Sequence, residues 1–268
     1  MAMHPEPSPV VRPRWGWLLA SFARREVLNR YAGSITGLAW TLLHPLAQLA
    51  IFAFVFSQIF RVAVPAEYSG ATYTTFVAVA LWPWIMFMEG LQRAMGSVAA
   101  NAGLIRKVAF PHGLLVYAAV AATVAVHAVG FIAVLVVLKL LGEPIRLAAV
   151  PIAFLLLVPY MLLATGIGAA LAAFTVMLRD VEHAVPIVLS MLLYASPILY
   201  PPSLVPEMLQ WWLKVNPVAW FSERLREVLL AGSGLVAGDI AVTAACLAIF
   251  AAGLWVFNRI SPHFEDFL

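Results

Sequence analysis

Two opposite charges stand in an otherwise apolar stretch of the sequence. Glu89 and Arg93 are four residues apart, with the acid nearer the N-terminus, which is the order that favours an ion pair on one face of a helix. A charge in an apolar environment is costly unless it is paired, so the two side chains either neutralise each other or form the charged mouth of a polar pathway. For His44 and His127, which lie in other apolar stretches, a hydrogen-bonded structural role is the simpler interpretation, and a proton carrier is the alternative.

Aromatic side chains mark a second candidate site. Trp82, Trp84 and Phe87 surround Pro83 in one apolar stretch, and Tyr194 lies in a later one. Aromatic rings stack on the apolar faces of sugars, so rings that line a pathway would suit a polysaccharide. The same rings could instead pack against a neighbouring helix. These four aromatic residues are therefore candidates for lining a substrate channel.

The segment 101–111 combines apolar anchors with two cations. Its candidate docking residues are Asn101, Leu104, Ile105, Arg106, Lys107, Phe110 and Pro111. A plain connecting loop would gain nothing from apolar side chains in water. The segment is therefore predicted either to fold back on a membrane or to dock into the groove of a partner protein.

Several kinds of chemistry are excluded because their motifs are missing. None of the three lysines follows a glycine, so the chain lacks the P-loop that cradles the phosphates of ATP. It also lacks His-Glu-x-x-His, Gly-x-Ser-x-Gly and a cysteine pair, since Cys246 is the single cysteine. We therefore expect no metal, no cofactor and no catalytic residue in this chain. The apolar stretches also lack the acids that usually couple transport to an ion gradient, so the energy for any transport must come from elsewhere.

The composition shows which elements must position these residues. The chain is 63% hydrophobic and 11% charged, with a mean hydropathy of +0.95, whereas soluble domains are about 25% charged. Six stretches without Asp, Glu, Lys or Arg reach the roughly 20 residues that cross a bilayer, namely 35–60, 68–88, 113–138, 147–178, 184–206 and 240–258. The fifth is the least regular because it is interrupted by Pro186, Pro197, Pro201 and Pro202. The sequence therefore predicts an all-α integral membrane protein with six transmembrane helices.

Basic residues indicate the orientation of these helices. With the N-terminus in the cytoplasm, ten Lys and Arg residues lie on the cytoplasmic side and six on the other side. We therefore expect both termini and the segment 101–111 to be cytoplasmic. The net charge of +3 at pH 7 is interpreted as a topology signal beside anionic lipid, and nucleic acid is not expected as a partner. Residues 1–13 lack the apolar core of a signal peptide, so the first span is expected to insert uncleaved.

Two segments outside the spans are predicted to lie at the membrane interface. For residues 15–31 the pattern predicts an amphipathic helix that lies on the inner leaflet. The alternative is a basic segment whose only role is to set the orientation of the first span. The residues of this helix that mark the interface are Trp15, Trp17, Phe22, Arg24, Arg25, Arg30 and Tyr31. Residues 201–239 mix tryptophans with charges and predict two short re-entrant helices on the outer side, broken at Asn216 and Pro217. The chain is thus divided into an N-terminal region, 1–34, and a six-helix transmembrane domain, 35–268.

Four stretches resemble one known family. These are RREVLNRYAGSITGLAWTLLHPL (24–46), LWPWIMFMEGLQRAMGSVAANAGLIRKVAFP (81–111), LRDVEHAVPIVLSMLLYASPILYPPSLVP (178–206) and KVNPVAWFSERLREVLLAG (214–232). In this order they are similar to the permeases of polysaccharide-exporting ABC transporters. The matching blocks cover most of the chain, and the departures are small: Thr36 and His44 stand where a more apolar or Asn-like residue is expected.

The resemblance implies a half-transporter in the bacterial inner membrane. Two copies would pair around a channel lined by aromatic rings, and segment 101–111 would be the coupling helix that contacts a dimer of separate ATPase subunits. ATP and Mg²⁺ would bind to those subunits. The substrate would be a lipid-linked polysaccharide of the O-antigen, capsule or teichoic-acid type, moved from the cytoplasmic leaflet towards the periplasm.

Three other interpretations stay open on the residues alone. A secondary transporter would need intramembrane acids, and only Glu89 at the edge of a span is available. A membrane-embedded enzyme that modifies glycolipids would need a polar cluster at one interface. The dense cluster in this chain consists of Glu223, Arg224, Arg226 and Glu227. A structural membrane anchor is the third alternative.

Overall fold

The computed structural model describes residues 15–30, 37 and 39–267, and the regular elements within those ranges are all helical. The long helices are α1 (Trp15–Arg30), α2 (Ala39–Phe54), α3 (Tyr73–Gly96), α5 (Gly113–Leu140), α6 (Val150–Met177), α7 (Asp180–Ala195) and α10 (Ala237–Ile260). The short helices are α4 (Ala102–Ile105), α8 (Gln210–Val215), α9 (Pro217–Arg226) and α11 (Phe264–Phe267). A π-helical turn, Val55–Ile59, extends α2. The predicted all-α class is confirmed.

Five of the described helices are long and apolar enough to cross a membrane. They cover Leu42–Ile59, Tyr73–Gly96, Gly113–Leu140, Leu147–Met177 and Ala237–His263. These helices coincide with five of the six predicted spans, because an apolar run of this length has no other stable solvent than lipid or a large protein core.

The fifth predicted span is shorter than expected. In the stretch 184–206, regular helix occurs only within α7, which has 16 residues and so measures about 24 Å, less than the roughly 30 Å of a bilayer core. Helix α7 ends at Ala195, and Ser196 is extended with φ −111° and ψ 147°. The physical reason is Pro197, since a residue that precedes proline is driven out of the α conformation. The structure thus gives five candidate spans, and a sixth crossing by α7 stays a prediction.

The break between the short helices α8 and α9 lies where the sequence predicts it. Asn216 separates α8 from α9, and its side-chain oxygen accepts a hydrogen bond of 2.9 Å from the backbone N–H of Val218. Pro217 occupies the first position of α9. An N–H group at that position makes no hydrogen bond within the helix, so a proline, which lacks the N–H, is tolerated there. The Asn216 side chain also donates to the Ser196 hydroxyl at 2.8 Å, so the cap fixes α9 to the loop after α7.

Helix α3 is the centre of the fold. In its membrane-length window, 83% of the residues are buried, compared with 17% for α2 and 17% for α10. It packs against α5, α6 and α9, while α6 packs against α10 on the other side. Helices α2 and α7 lie at the periphery and leave large apolar side chains exposed, including Ile51 and Met191.

Two glycines let the backbones of α6 and α10 touch. A Cβ atom on Gly253 would lie 2.0 Å from the carbonyl oxygen of Gly166, and one on Gly166 would lie 2.4 Å from the Cα atom of Phe250. Small residues at such crossings allow the close van der Waals contact that holds membrane helices together. The α6–α10 pair is therefore specified by these two positions.

We expect Gly253→Ala to destabilise the protein, by about 1–3 kcal/mol, because the added methyl group meets backbone atoms that cannot rotate away. The measurement is thermal unfolding of the detergent-solubilised protein. Gly96→Ala is the matched control, since no atom lies within 4 Å of its Cβ position. Equal unfolding temperatures for the two variants would contradict the proposed backbone contact.

Candidate functional site

The segment 101–111 forms a short helix and a partly exposed loop. Helix α4 carries Leu104, which is half-buried, and Ile105, which is 2% exposed and belongs to the hydrophobic core. Arg106 and Lys107 are exposed, and Val108 follows them with half of its side chain exposed. The side chain of Ile105 already fills this chain's own core, which does not fit its predicted role as an anchor for a partner. Val108 is the large apolar side chain that this segment exposes to the surroundings.

Helix α1 is joined to this segment. The Arg25 guanidinium donates a hydrogen bond of 2.5 Å to the Asn101 side-chain oxygen, and Asn101 in turn donates to the backbone carbonyl of Ser97 at 2.8 Å. The rings of Phe22 and Phe110 lie 5.7 Å apart between centroids. Two regions that the sequence predicts separately thus form one surface, which we call the α1–α4 surface and define as α1 with residues 101–111.

The remaining residues of the predicted interface helix lie on the outside of α1. Trp15 and Trp17 are 46% and 68% exposed, and Arg24 is exposed. Of the last two residues, Tyr31 lies outside the described residues, and for Arg30 only the backbone is described. The apolar face of α1 packs along α5, which leaves both tryptophans available to a membrane or a partner.

A chain of charges connects α1 to the interior of the helix bundle. Arg93 donates through Nε to Glu89 at 2.9 Å and through Nη1 to Glu26 of α1 at 3.2 Å. The second oxygen of Glu89 lies 2.6 Å from His127 Nε2 on α5. His127 is 1% exposed, and its Nδ1 atom has no hydrogen-bond partner among the described residues. The predicted pairing of Glu89 with Arg93 is confirmed, and its extension to Glu26 and His127 joins three helices.

We expect Arg93→Met to weaken the attachment of α1 to the bundle. The substitution leaves the carboxylates of Glu26 and Glu89 without their shared cation, and since both groups are partly exposed the cost is about 1–2 kcal/mol. The measurement is the rate of proteolysis within α1 in detergent, which should rise. Arg179→Met is the control, because Arg179 is exposed and makes no ion pair with the described residues. Unchanged proteolysis in Arg93→Met would contradict the anchoring role.

Three of the four candidate channel rings lie in the protein core. Trp82, Trp84 and Phe87 are 2%, 1% and 2% exposed. The Trp82 indole donates to the His127 carbonyl oxygen at 3.1 Å, and the Phe87 ring stacks on Tyr160 with centroids 4.6 Å apart. Helix α3 runs through Pro83 without ending and is covered on all sides. In this chain the three rings pack against neighbouring helices, and the prediction that they face a channel does not fit this placement.

The fourth candidate ring belongs to an open aromatic cavity. Tyr194 is 57% exposed and lines a cavity of about 820 Å³. The other aromatic residues around this cavity, which we call the outer cavity, are Phe56, Phe60, Tyr200, Trp211 and Trp212. Phe60 and Trp211 are 65% and 61% exposed. The sequence signal that could have found this site is the aromatic repeat at the end of α2, where phenylalanine stands at positions 52, 56 and 60.

These features define an all-helical membrane protein with five candidate spans and an aromatic cavity. A family model described as ABC-2 type transporter matches residues 18–230. The chain therefore belongs to the ABC-2 type transporter family, of which it is a permease, the transmembrane and non-catalytic subunit. The resemblance stated from the sequence is confirmed.

Three relatives illustrate what the chain is similar to. An O-antigen export system permease protein RfbA of Klebsiella pneumoniae is 26% identical over 252 residues, which covers 94% of this chain and 95% of that protein. An RfbA of Myxococcus xanthus is 28% identical over 196 residues, covering 71% and 70%. The polysialic acid transport protein KpsM of Escherichia coli is 24% identical over 209 residues, covering 78% and 79%.

Membership of the family also fixes where the energy comes from. An ABC permease works with a partner ATPase, and the permease itself does not bind ATP. Within the described residues, no group of three His, Cys, Asp or Glu side chains is arranged to hold a metal ion.

Proposed function

We propose that this permease moves a lipid-linked polysaccharide of the O-antigen type across the bacterial inner membrane, powered by a dimer of separate ATPase subunits. The observation that carries the proposal is near full-length similarity to a protein named as an O-antigen export permease, 94% of this chain against 95% of that protein. Capsular polysaccharide is the alternative substrate, because a relative named as a polysialic acid transport protein is also similar over most of its length.

Self-association through α2 and α7 is the arrangement that the exposed faces support. Helix α2 leaves Trp40, Ile51 and Phe54 at least 60% exposed, and α7 leaves Ile187 and Met191 58% and 65% exposed. Lipid alone would be enough to cover these side chains, but exposed apolar faces on two peripheral helices also suit contact with a second copy of the chain. The proposed channel lies between the two copies, and the outer cavity is its aromatic lining.

The α1–α4 surface is proposed to receive the ATPase. It offers Val108 as an apolar contact beside two exposed cations, Arg106 and Lys107, and it is tied mechanically to α3 and α5 through Arg93. A partner groove lined with acids would complement these charges. Movement of this surface would be transmitted to the bundle through Glu26, Arg93, Glu89 and His127.

A six-span topology with both termini in the cytoplasm completes the proposal. The excess of basic residues on the side of the α1–α4 surface supports this orientation. The sixth crossing requires α7 and the loop that follows it to reach the outer side together, since the helix alone is too short.

Deletion of the gene tests the proposed function in cells. Without the permease, we expect the surface glycan to be lost and its lipid-linked precursor to accumulate inside, and an ATPase with a P-loop should co-purify with the tagged permease. Normal surface glycan in the deletion strain would overturn the proposal. Loss of a capsule with retention of O-antigen would instead favour the capsular substrate.

A further inference from the structure

A second cavity lies beside α8 and α9, separate from the outer cavity. It has a volume of about 530 Å³ and is lined by residues of the loop after α7, of α8 and of α9. Its polar and aromatic walls come from Trp220, Glu223, Glu227 and Lys214. The proposed topology puts this cavity, which we call the α9 pocket, on the outer side of the membrane.

Buried arginines hold the two carboxylates of the pocket in place. Arg226 is fully buried and donates to the backbone carbonyls of Pro197 and Ile198 at 2.7 and 2.6 Å, and its guanidinium also pairs with Glu223. Arg224 is 3% exposed and pairs with Glu227. Each arginine engages one oxygen of its glutamate, Arg224 also pairs with Asp239, and the other oxygen of Glu223 and of Glu227 has no hydrogen bond to the described residues. The free oxygens are therefore oriented acceptors that need no rearrangement to receive a donor.

Ionic ligands do not suit this pocket. Its lining and the ion pairs behind it carry three cations and three carboxylates, namely Lys214, Arg224, Arg226, Glu223, Glu227 and Asp239. Burial raises the pKa of Glu223 above its ordinary value, and the neighbouring Arg226 acts in the opposite direction. Since the charges balance, the pocket has no net charge, and it offers directed acceptors, one exposed ammonium donor and an indole surface. Those features fit a neutral ligand with several hydroxyl groups.

We infer that the α9 pocket binds a neutral sugar unit of the exported glycan. Hydroxyl groups of the sugar donate to Glu223 and Glu227, the Lys214 ammonium donates to a sugar oxygen, and the apolar face of the ring lies against Trp220. The inference rests on the proposed function for the source of the glycan, and it narrows the substrate class to glycans that contain uncharged pyranose units.

Saturation-transfer NMR on the purified permease in nanodiscs tests the inference. The probes are neutral trisaccharides of mannose, galactose or rhamnose, with a sialic acid dimer as the anionic comparison. We expect at least one neutral trisaccharide to bind, and Glu227→Gln to weaken that binding about tenfold, because one charge-assisted hydrogen bond is lost. Trp220→Phe should weaken it as well. Glu207→Gln is the matched control, since Glu207 is an exposed acid outside the pocket.

Several outcomes would overturn the inference. They are binding by none of the neutral probes, tighter binding of the sialic acid dimer, or unchanged binding in Glu227→Gln while its unfolding temperature stays normal. Export is measured separately by restoring the permease to a deletion strain. Restored surface glycan together with absent sugar binding removes the inference and leaves the proposed function standing, whereas unrestored glycan removes the proposed function.

Discussion

Replacing Val108 with aspartate is expected to separate the permease from its ATPase. Val108 is 50% exposed on the α1–α4 surface, next to two exposed cations. If its side chain enters an apolar pocket of the partner, a carboxylate there is desolvated without a donor, which costs about 2 kcal/mol or more and lowers the affinity about 30-fold or more. Export should then stop, although the permease still folds and inserts.

The measurement is co-purification of the ATPase with tagged permease, together with surface glycan in the same cells. Val215→Asp is the control, because Val215 is a 64% exposed valine on α8, at the other end of the molecule in the proposed topology. Arg106→Ala should reduce co-purification less than Val108→Asp, since a charge at the rim of an interface acts mainly on the association rate. Full retention of the ATPase by Val108→Asp would remove the coupling role of this surface.

Truncating the buried rings of α3 is expected to lower the amount of protein in the membrane, whereas truncating the exposed rings of the outer cavity is expected to lower export. Trp84→Ala should remove most of the protein from the membrane, because deleting a fully buried large ring costs about 3–5 kcal/mol. Tyr194→Ala and Trp211→Ala should leave membrane abundance near normal, since both rings are more than half exposed. If the outer cavity lines the channel, the double variant of Tyr194 and Trp211 should nevertheless reduce export strongly.

Abundance and export are measured together, by quantitative blotting of membranes and by surface glycan. Exposed Met208→Ala serves as the control, because Met208 is 78% exposed nearby but does not line the outer cavity. If Trp84→Ala has normal abundance but defective export, the aromatic rings of α3 line the channel after all. Normal export in the double variant would show that the outer cavity is covered by lipid or by a second copy.

The long spans could be predicted because hydropathy alone decides them. An apolar run such as Leu147–Met177 is stable in lipid only as an α-helix, because the helix forms all of its backbone hydrogen bonds internally. Local backbone chemistry was also readable, since Asn216 followed by Pro217 predicts the break between α8 and α9. The prolines after position 184 predict an irregular span. They do not fix where α7 ends, and the end at Ala195 is known only from the extended conformation of Ser196 in the structure.

Which face of each helix meets lipid and which face is buried in the protein core could not be predicted in the same way. In a helix that is apolar all round, the pattern of residues does not distinguish a lipid-facing ring from a core ring, which is why Trp82 and Trp84 were assigned to a channel. The burial of Ile105 could not be predicted for a related reason, because an apolar residue in a short loop looks the same whether it faces a partner or the chain's own core. The contact between Glu26 and Arg93 joins residues 67 positions apart, and no local pattern predicts such a pairing.

The central claim is that this chain provides the path by which ATP hydrolysis on another subunit moves a lipid-linked glycan across the membrane. Proteoliposomes that contain the permease, its co-purified ATPase and lipid-linked glycan from the same cells test it most directly. The measured quantity is the fraction of glycan that becomes inaccessible to an added glycosidase as the glycan crosses to the interior. We expect this fraction to rise only when ATP, Mg²⁺ and both proteins are present, and to stay at the background level with Val108→Asp. A rise of the same size without the permease, or without ATP, would contradict the account.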